Sequence, residues 1–192
     1  MSMLGELSFF RGVQISQSNE GIFISKTKYI KEMLKKFRME DCNAASTPMV
    51  TGCKLSKDNE SLDADQTKYR SMIGNLLYVT TTRLDIMQAV GFVARFQATT
   101  KETHVQAIKS IFKYLKGTMD FGLWYPKEKD LTLIAYMDAD WVGDVDDRKS
   151  TSDGVFFLGK SLVSRLSKKQ ASVSLSIAKV EYIGAAVCCT HV

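Results

Sequence analysis

Five aspartates crowd one short stretch of this 192-residue chain, LTLIAYMDADWVGDVDD at 131–147: Asp138, Asp140, Asp144, Asp146 and Asp147. Like charges this close repel one another unless a cation or solvent offsets them, and a divalent metal is the reading with chemical consequence. Leu131, Leu133, Ala135 and Met137 fall on one face of a period-two strand and Thr132, Ile134, Tyr136 and Asp138 on the other. Asp138 therefore emerges where the strand ends, Asp140 points the same way, and the other three acids follow in a turn. Two plainer readings compete. Acid-rich turns are commonly just solvated. An EF-hand loop would put Asp138, Asp140 and Gly143 at its first, third and sixth positions, but Val142 and Lys149 then occupy the fifth and twelfth, and the entering segment is strand-like where a helix is needed.

A sixth acid stands apart. From Ile177 to Cys189, Ala178, Glu181, Tyr182, Ala185 and Cys189 recur at helical spacing, which places Glu181 on a helix after a three-stranded meander. A strand-end acid and a helix acid brought together can hold a divalent metal that activates water and stabilises an in-line phosphoryl displacement.

The elements that must position these acids come from hydrophobic periodicity. LSFFRGVQIS, SNEG and IFIS read as a hairpin turning at Ser18 to Gly21. Lys26 to Phe37 reads as an amphipathic helix with Ile30, Met33, Leu34 and Phe37 inward and Lys28, Lys31, Lys35, Lys36 and Arg38 outward, a pattern that suits either plain solvation or phosphate contact. Glu40 to Asp65 reads as an extended connection. Three helices follow: one from Gln66 to Val79, one around Ile86, Ala89, Val90, Val93 and Phe96, and one from Thr103 that stops at Gly117. After Gly117 the period switches to alternation, and GLWY, LTLIAYMD, VFFLG and SLVSRLS are expected in one small antiparallel sheet. The fold class is α+β.

Composition sets wider bounds. With 45% hydrophobic residues the chain can bury a real core, and a net charge of +5 is mild support for a polyanionic partner. Cys42, Cys53, Cys188 and Cys189 lack zinc-ligand spacing. With no leader read before them and no apolar run of membrane-spanning length, an intracellular chain, cytoplasmic or nuclear, is expected, with no membrane partner and no small-molecule substrate.

YMDADWVGDVDDRKSTSDGVFFLG, then SKKQASVSLSIAKVEYIGAAVCC, resembles the ribonuclease H domain of copia-type retrotransposon Pol polyproteins. Upstream, GELSFFRGVQI, ISKTKYIKEMLKKFRMEDCNAASTPM, YRSMIGNLLYVTTTRLDIMQAV and KYLKGTMDFGLWY resemble the palm end, thumb and connection of the same family's reverse transcriptase, so the resemblance covers essentially the whole chain. It implies a reverse transcriptase-like region over residues 1–120 and a truncated ribonuclease H-like domain over 121–192. It further implies catalytic roles for Asp138 and Glu181, metal ligation by Asp138, Glu181 and Asp140 with Mg2+ as cofactor, weakly held here, and a thumb-like helix whose Lys28, Lys31, Lys35, Lys36 and Arg38 lie against nucleic-acid backbone.

Against the family pattern, the paired aspartates of the polymerase's YVDD motif are expected before Met1 and the remaining ribonuclease aspartates beyond Val192. Arg11, Leu84, Asp153 with Gly154, Arg165 and Lys179 depart from the usual residues, and charges at apolar positions cost stability unless they reach water. The expectation is a polyprotein fragment that is catalytically inactive alone. The alternatives are a nucleic-acid-binding module, or a metal-dependent ribonuclease H completed by a partner chain.

Overall fold

The computed structural model describes residues 7–50, 52–57, 60–127 and 131–191; the start of the GELSFF motif, through Glu6, lies outside them. The chain is α+β. Its elements are β1 (Phe9–Phe10), β2 (Val13–Gln17), β3 (Gly21–Ser25), α1 (Thr27–Lys36), α2 (Gln66–Val79), a 3-10 turn at Leu84–Ile86, α3 (Met87–Ala94), α4 (Glu102–Gly117), β4 (Leu123–Pro126), β5 (Leu133–Asp140), β6 (Thr151–Leu158), β7 (Ser161–Lys169) and α5 (Ile177–His191).

The N-terminal hairpin forms, with its first strand cut in two. Arg11 and Gly12 both adopt positive φ (47° and 78°), so Phe9–Phe10 folds back on β2 in the register Phe9↔Gln14 and Phe10↔Val13. Two consecutive positive-φ residues make the two-residue turn that matches strand twist. Tyr78 fixes it from α2: its hydroxyl donates to the Arg11 carbonyl, and a Cβ at Gly12 would run into the same oxygen at 2.6 Å. Arg11 itself is exposed, so this departure from an apolar residue buries no charge.

GLWY does not join the C-terminal meander. It is β4, antiparallel to β3 with Ile22↔Tyr125 and Phe23↔Trp124, and closes a sheet of order β1-β2-β3-β4. Gly122 lets the chain enter that pairing, because a side chain there would collide with the Ile24 carbonyl. Alternation marks a strand but says nothing about its partner.

The core lies among α1 to α4. Ile30, Met33 and Leu34 of α1, Tyr69, Ile73 and Leu76 of α2, Val90 and Val93 of α3, and Ile108, Ile111, Phe112 and Leu115 of α4 are buried in one cluster. The Asp65 carboxylate caps α2 by accepting from the Thr67 and Lys68 amides (2.9 and 3.1 Å). Three ionisable side chains inside this layer were not singled out by the sequence reading. Arg83, fully buried, donates to both Asp85 oxygens and to the carbonyl and hydroxyl of Thr118. His104 stacks on Phe96, and its Nδ1 accepts from the Lys101 amide at 3.0 Å; burial lowers its pKa. Lys26 donates to the Tyr78 carbonyl and the Thr81 hydroxyl, and burial lowers its pKa to about 8.

The meander of β5, β6 and β7 forms as expected, and its two faces have different neighbours. On one side α3 approaches β7, with the Gly91 backbone beside the Ser167 carbonyl. On the other lies α5: a Cβ on Gly184 would come within 2.8 Å of Met137 Sδ, and one on Gly154 within 2.8 Å of Cys188 Sγ. The inward residues of α5 are thus Val180, Gly184 and Cys188, while Ala178, Glu181, Tyr182, Ala185 and Cys189 face out. Small and apolar residues occur all round this helix, so its periodicity carries little contrast.

Candidate functional site

The β5–β6 register puts Asp138 directly opposite Asp153. Residues so paired share a face, and the pleat alternates, so with Met137 and Ala139 turned to α5, Asp138 and Asp153 turn to the α3 side. There they border a cleft of about 270 Å³ with Gln88, Tyr136, Val155 and Arg165. Gln88 Nε2 donates weakly to Asp153 Oδ2 (3.4 Å), whereas Asp153 Oδ1 and Arg165 Nε are buried without a hydrogen-bond partner. Arg165 Nη1 reaches the Leu84 carbonyl at 3.5 Å. Two of the departures from the family pattern, Asp153 and Arg165, therefore lie diagonal to each other on one face of the sheet.

Asp140 follows on the same pleat face and lines a larger cleft of about 640 Å³ with Gln88, Arg95, Trp141 and Gly143. Glu181 is exposed on α5, across the sheet. The structure brings Asp138 together with Asp153 and does not bring it together with Glu181. As an arrangement of Mg2+ ligands, Asp138, Asp140 and Glu181 do not fit: two carboxylates face α3 and the third stands on the helix covering the opposite face. Among the described residues no cluster of three or more His, Cys, Asp or Glu side chains could hold a metal ion.

The acid-rich turn is offset by the protein's own cations. Asp144, only 6% exposed, accepts from Lys169 Nζ at 2.6 Å and Arg95 Nη1 at 3.3 Å, and its other oxygen accepts the Asp146 and Asp147 amides. Burial alone would raise its pKa. The Lys169 hydrogen bond and charge, with the backbone amides, outweigh that and hold it at about 2. Lys169 also pairs with Asp147 at 2.8 Å, and Asp146 accepts from the Ser56 hydroxyl and the Lys57 amide. The turn is a junction linking β7, α3 and the extended connection. Its cationic partners lie 25 and 49 residues from Asp144, beyond the reach of local sequence patterns.

On α1 and just beyond it Lys28, Lys31, Lys35, Lys36 and Arg38 are all exposed, with Ile30, Met33 and Leu34 of the same segment buried. Lys28, Lys31 and Lys35 fall in one row about 10 Å long.

The reverse transcriptase (RNA-dependent DNA polymerase) family model matches residues 1–51. The chain is 38% identical over 177 residues to the retrovirus-related Pol polyprotein from transposon RE1 of Arabidopsis thaliana, covering 92% of this chain and 12% of that one. It is 35% identical over 194 residues to the corresponding polyprotein from transposon TNT 1-94 of Nicotiana tabacum, covering 96% of this chain and 14% of the relative. An uncharacterised mitochondrial protein of Arabidopsis thaliana, AtMg00810, is 35% identical over 182 residues, covering 95% of this chain and 75% of its own length. No solved structure matches. Among the described residues no helix is long and apolar enough to cross a membrane. The alignment runs through both the helical layer and the acid-bearing sheet, and the chain belongs to the copia-type retrotransposon Pol polyprotein family, of which it spans about an eighth of the RE1 relative's length.

Proposed function

We propose that this chain is a non-catalytic segment of a Pol polyprotein, reverse transcriptase-like over residues 1–120 and ribonuclease H-like over 121–192, that holds nucleic-acid backbone without cutting it. What supports the non-catalytic reading is that Asp138 turns to the α3 side of the sheet, where Asp153 and Arg165 border the same cleft, while Glu181 is exposed on α5, which packs on the other face. Two-metal hydrolysis needs carboxylates converging on one point. Labelled RNA–DNA hybrid incubated with the chain and Mg2+ is expected to remain intact. Cleavage that disappears on Asp138→Asn or Glu181→Gln would overturn this reading.

Support for backbone binding is the exposed basic row on α1, where Glu32 is the lone acid. Lysines read phosphate without sequence preference and lose affinity as salt rises. Binding to a labelled hybrid whose affinity is the same at low and high salt would remove this part.

A further inference from the structure

We propose that the exposed ring of Phe9 is a stacking platform for a base of single-stranded nucleic acid whose phosphates run along Lys28, Lys31 and Lys35. This rests on the reading of α1 as a backbone-binding surface and adds the form of nucleic acid that surface prefers.

Phe9 and Phe10 occupy the outer edge of the four-stranded sheet and are 48% and 52% exposed. An aromatic ring left half in water has given up hydrophobic stabilisation that burial would supply, so two in succession mark a surface suited to a flat apolar partner. Charge names that partner. Lys28 Nζ lies 5.8 Å from the centre of the Phe9 ring, and the Lys28 amide donates to the side chain of Gln14, the residue paired with Phe9. The ring therefore stands at the head of the lysine row. Lys28, Lys31 and Lys35 span about 10 Å, enough to meet about two successive phosphates of one strand.

In a duplex every base is already stacked and paired, so none is free to lie on Phe9; a single strand can splay one out. Stacking also tolerates any base, since each has a π-face. Phe10 is the built-in control. The pleat sends it to the opposite face of the sheet, where its charged neighbour is Arg11, 5.5 Å from its ring centre.

The test is titration of fluorescein-labelled twelve-nucleotide oligothymidine and oligouridine, and of a twelve-base-pair duplex, against the full chain in low salt. Phe9→Ala is expected to weaken the single strands about tenfold and leave the duplex unchanged, while Phe9→Trp restores or strengthens single-strand binding. Phe10→Ala should leave both unchanged, and Lys31→Glu with Lys35→Glu should weaken single strand and duplex together. Equal loss from Phe9→Ala and Phe10→Ala, or no change in the ratio of single-strand to duplex affinity with Phe9→Ala, overturns the stacking site while leaving backbone binding intact. No binding of any probe by the unaltered chain overturns both. A change of oligomeric state in sedimentation on Phe9→Ala would assign the ring to a contact between copies and overturn the stacking site as well.

Discussion

Residues 26–117 and residues 133–191 solve the problem of cohesion in different ways. The first region buries Tyr69, Ile73, Leu76, Val90, Ile108, Ile111 and Phe112 in one continuous cluster, whereas the buried apolar side chains described in the second are Phe156, Val180 and Cys188. Around those three the contacts are polar. Gln170 Nε2 donates to the Ser152 hydroxyl and the Val180 carbonyl at 3.0 Å, and Asp144 ties the turn to Lys169 and Arg95. Among the described strands β5 pairs on one edge, with β6, and Leu133, Ile134 and Tyr136 on it are exposed. A helix needs only one buried stripe, but a sheet wants cover along its whole face. Here α5 covers one face, and on the other α3 packs mainly against β7 and meets β6 through polar side chains such as Gln88 with Asp153.

The largest effect should come from emptying the helical core. Phe112→Ala removes a fully buried ring stacked on Phe37 at 5.4 Å between ring centres, and is expected to cost about 3–5 kcal/mol in chemical denaturation, unfolding the whole chain. Phe156→Ala should instead loosen the sheet alone, with amides of β5 to β7 losing hydrogen-exchange protection while those of α2 and α4 keep theirs. Equal global destabilisation by the two changes would abolish the distinction between the regions.

Asp144 comes next. A carboxyl whose folded pKa is depressed to about 2 from 3.8 contributes stability that is present above the unfolded value and lost as pH falls through the folded one, so the loss belongs between about pH 4 and pH 2. Its size is on the order of 2 kcal/mol. Fluorescence of Trp141, which follows β5 at the start of this turn, should report the loosening over that window. Asp144→Asn should flatten the profile and weaken the sheet at neutral pH, and an unchanged acid transition in that variant would show that other carboxylates hold the sheet to α3.

What could be read in advance follows the same divide. α1 and α4 carry strong contrast between apolar and polar positions, and their spans, like that of α2, match expectation within a residue or so at each end. The strands of the meander were legible from alternation. Their company was not: β4 left for β3, and nothing in GLWY distinguishes one antiparallel edge from another. The spacing along α5 carries little contrast and does not say which face meets the sheet; Glu181 is exposed, and Val180, Gly184 and Cys188 are buried. The turn acids were read toward a divalent metal, whereas the charges that offset Asp144 are those of Lys169 and Arg95, joined to it only by the fold.

A smaller effect concerns the surface of the helical region. Each of Lys31→Glu and Lys35→Glu should lower the slope of log affinity against log salt by about 1 in a filter-binding titration, without altering thermal stability, because both side chains are exposed. A slope that stays fixed would place the phosphate contacts elsewhere than α1.

The smallest prediction returns to the paired acids. Asp138 and Asp153 face each other across two strands, and like charges in that relation destabilise a sheet by roughly 0.2–1 kcal/mol. Asp138→Asn keeps the shape and removes one charge, so thermal unfolding of the sheet should move upward by a small amount. Arg165 sharpens the test, since its guanidinium borders the same cleft. If it already neutralises the pair, Asp138→Asn should be neutral and Arg165→Gln costly. A clear loss of stability on Asp138→Asn would mean that the carboxylate of Asp138 is engaged in holding the sheet, and that a charge on β5 serves this region as Asp144 does.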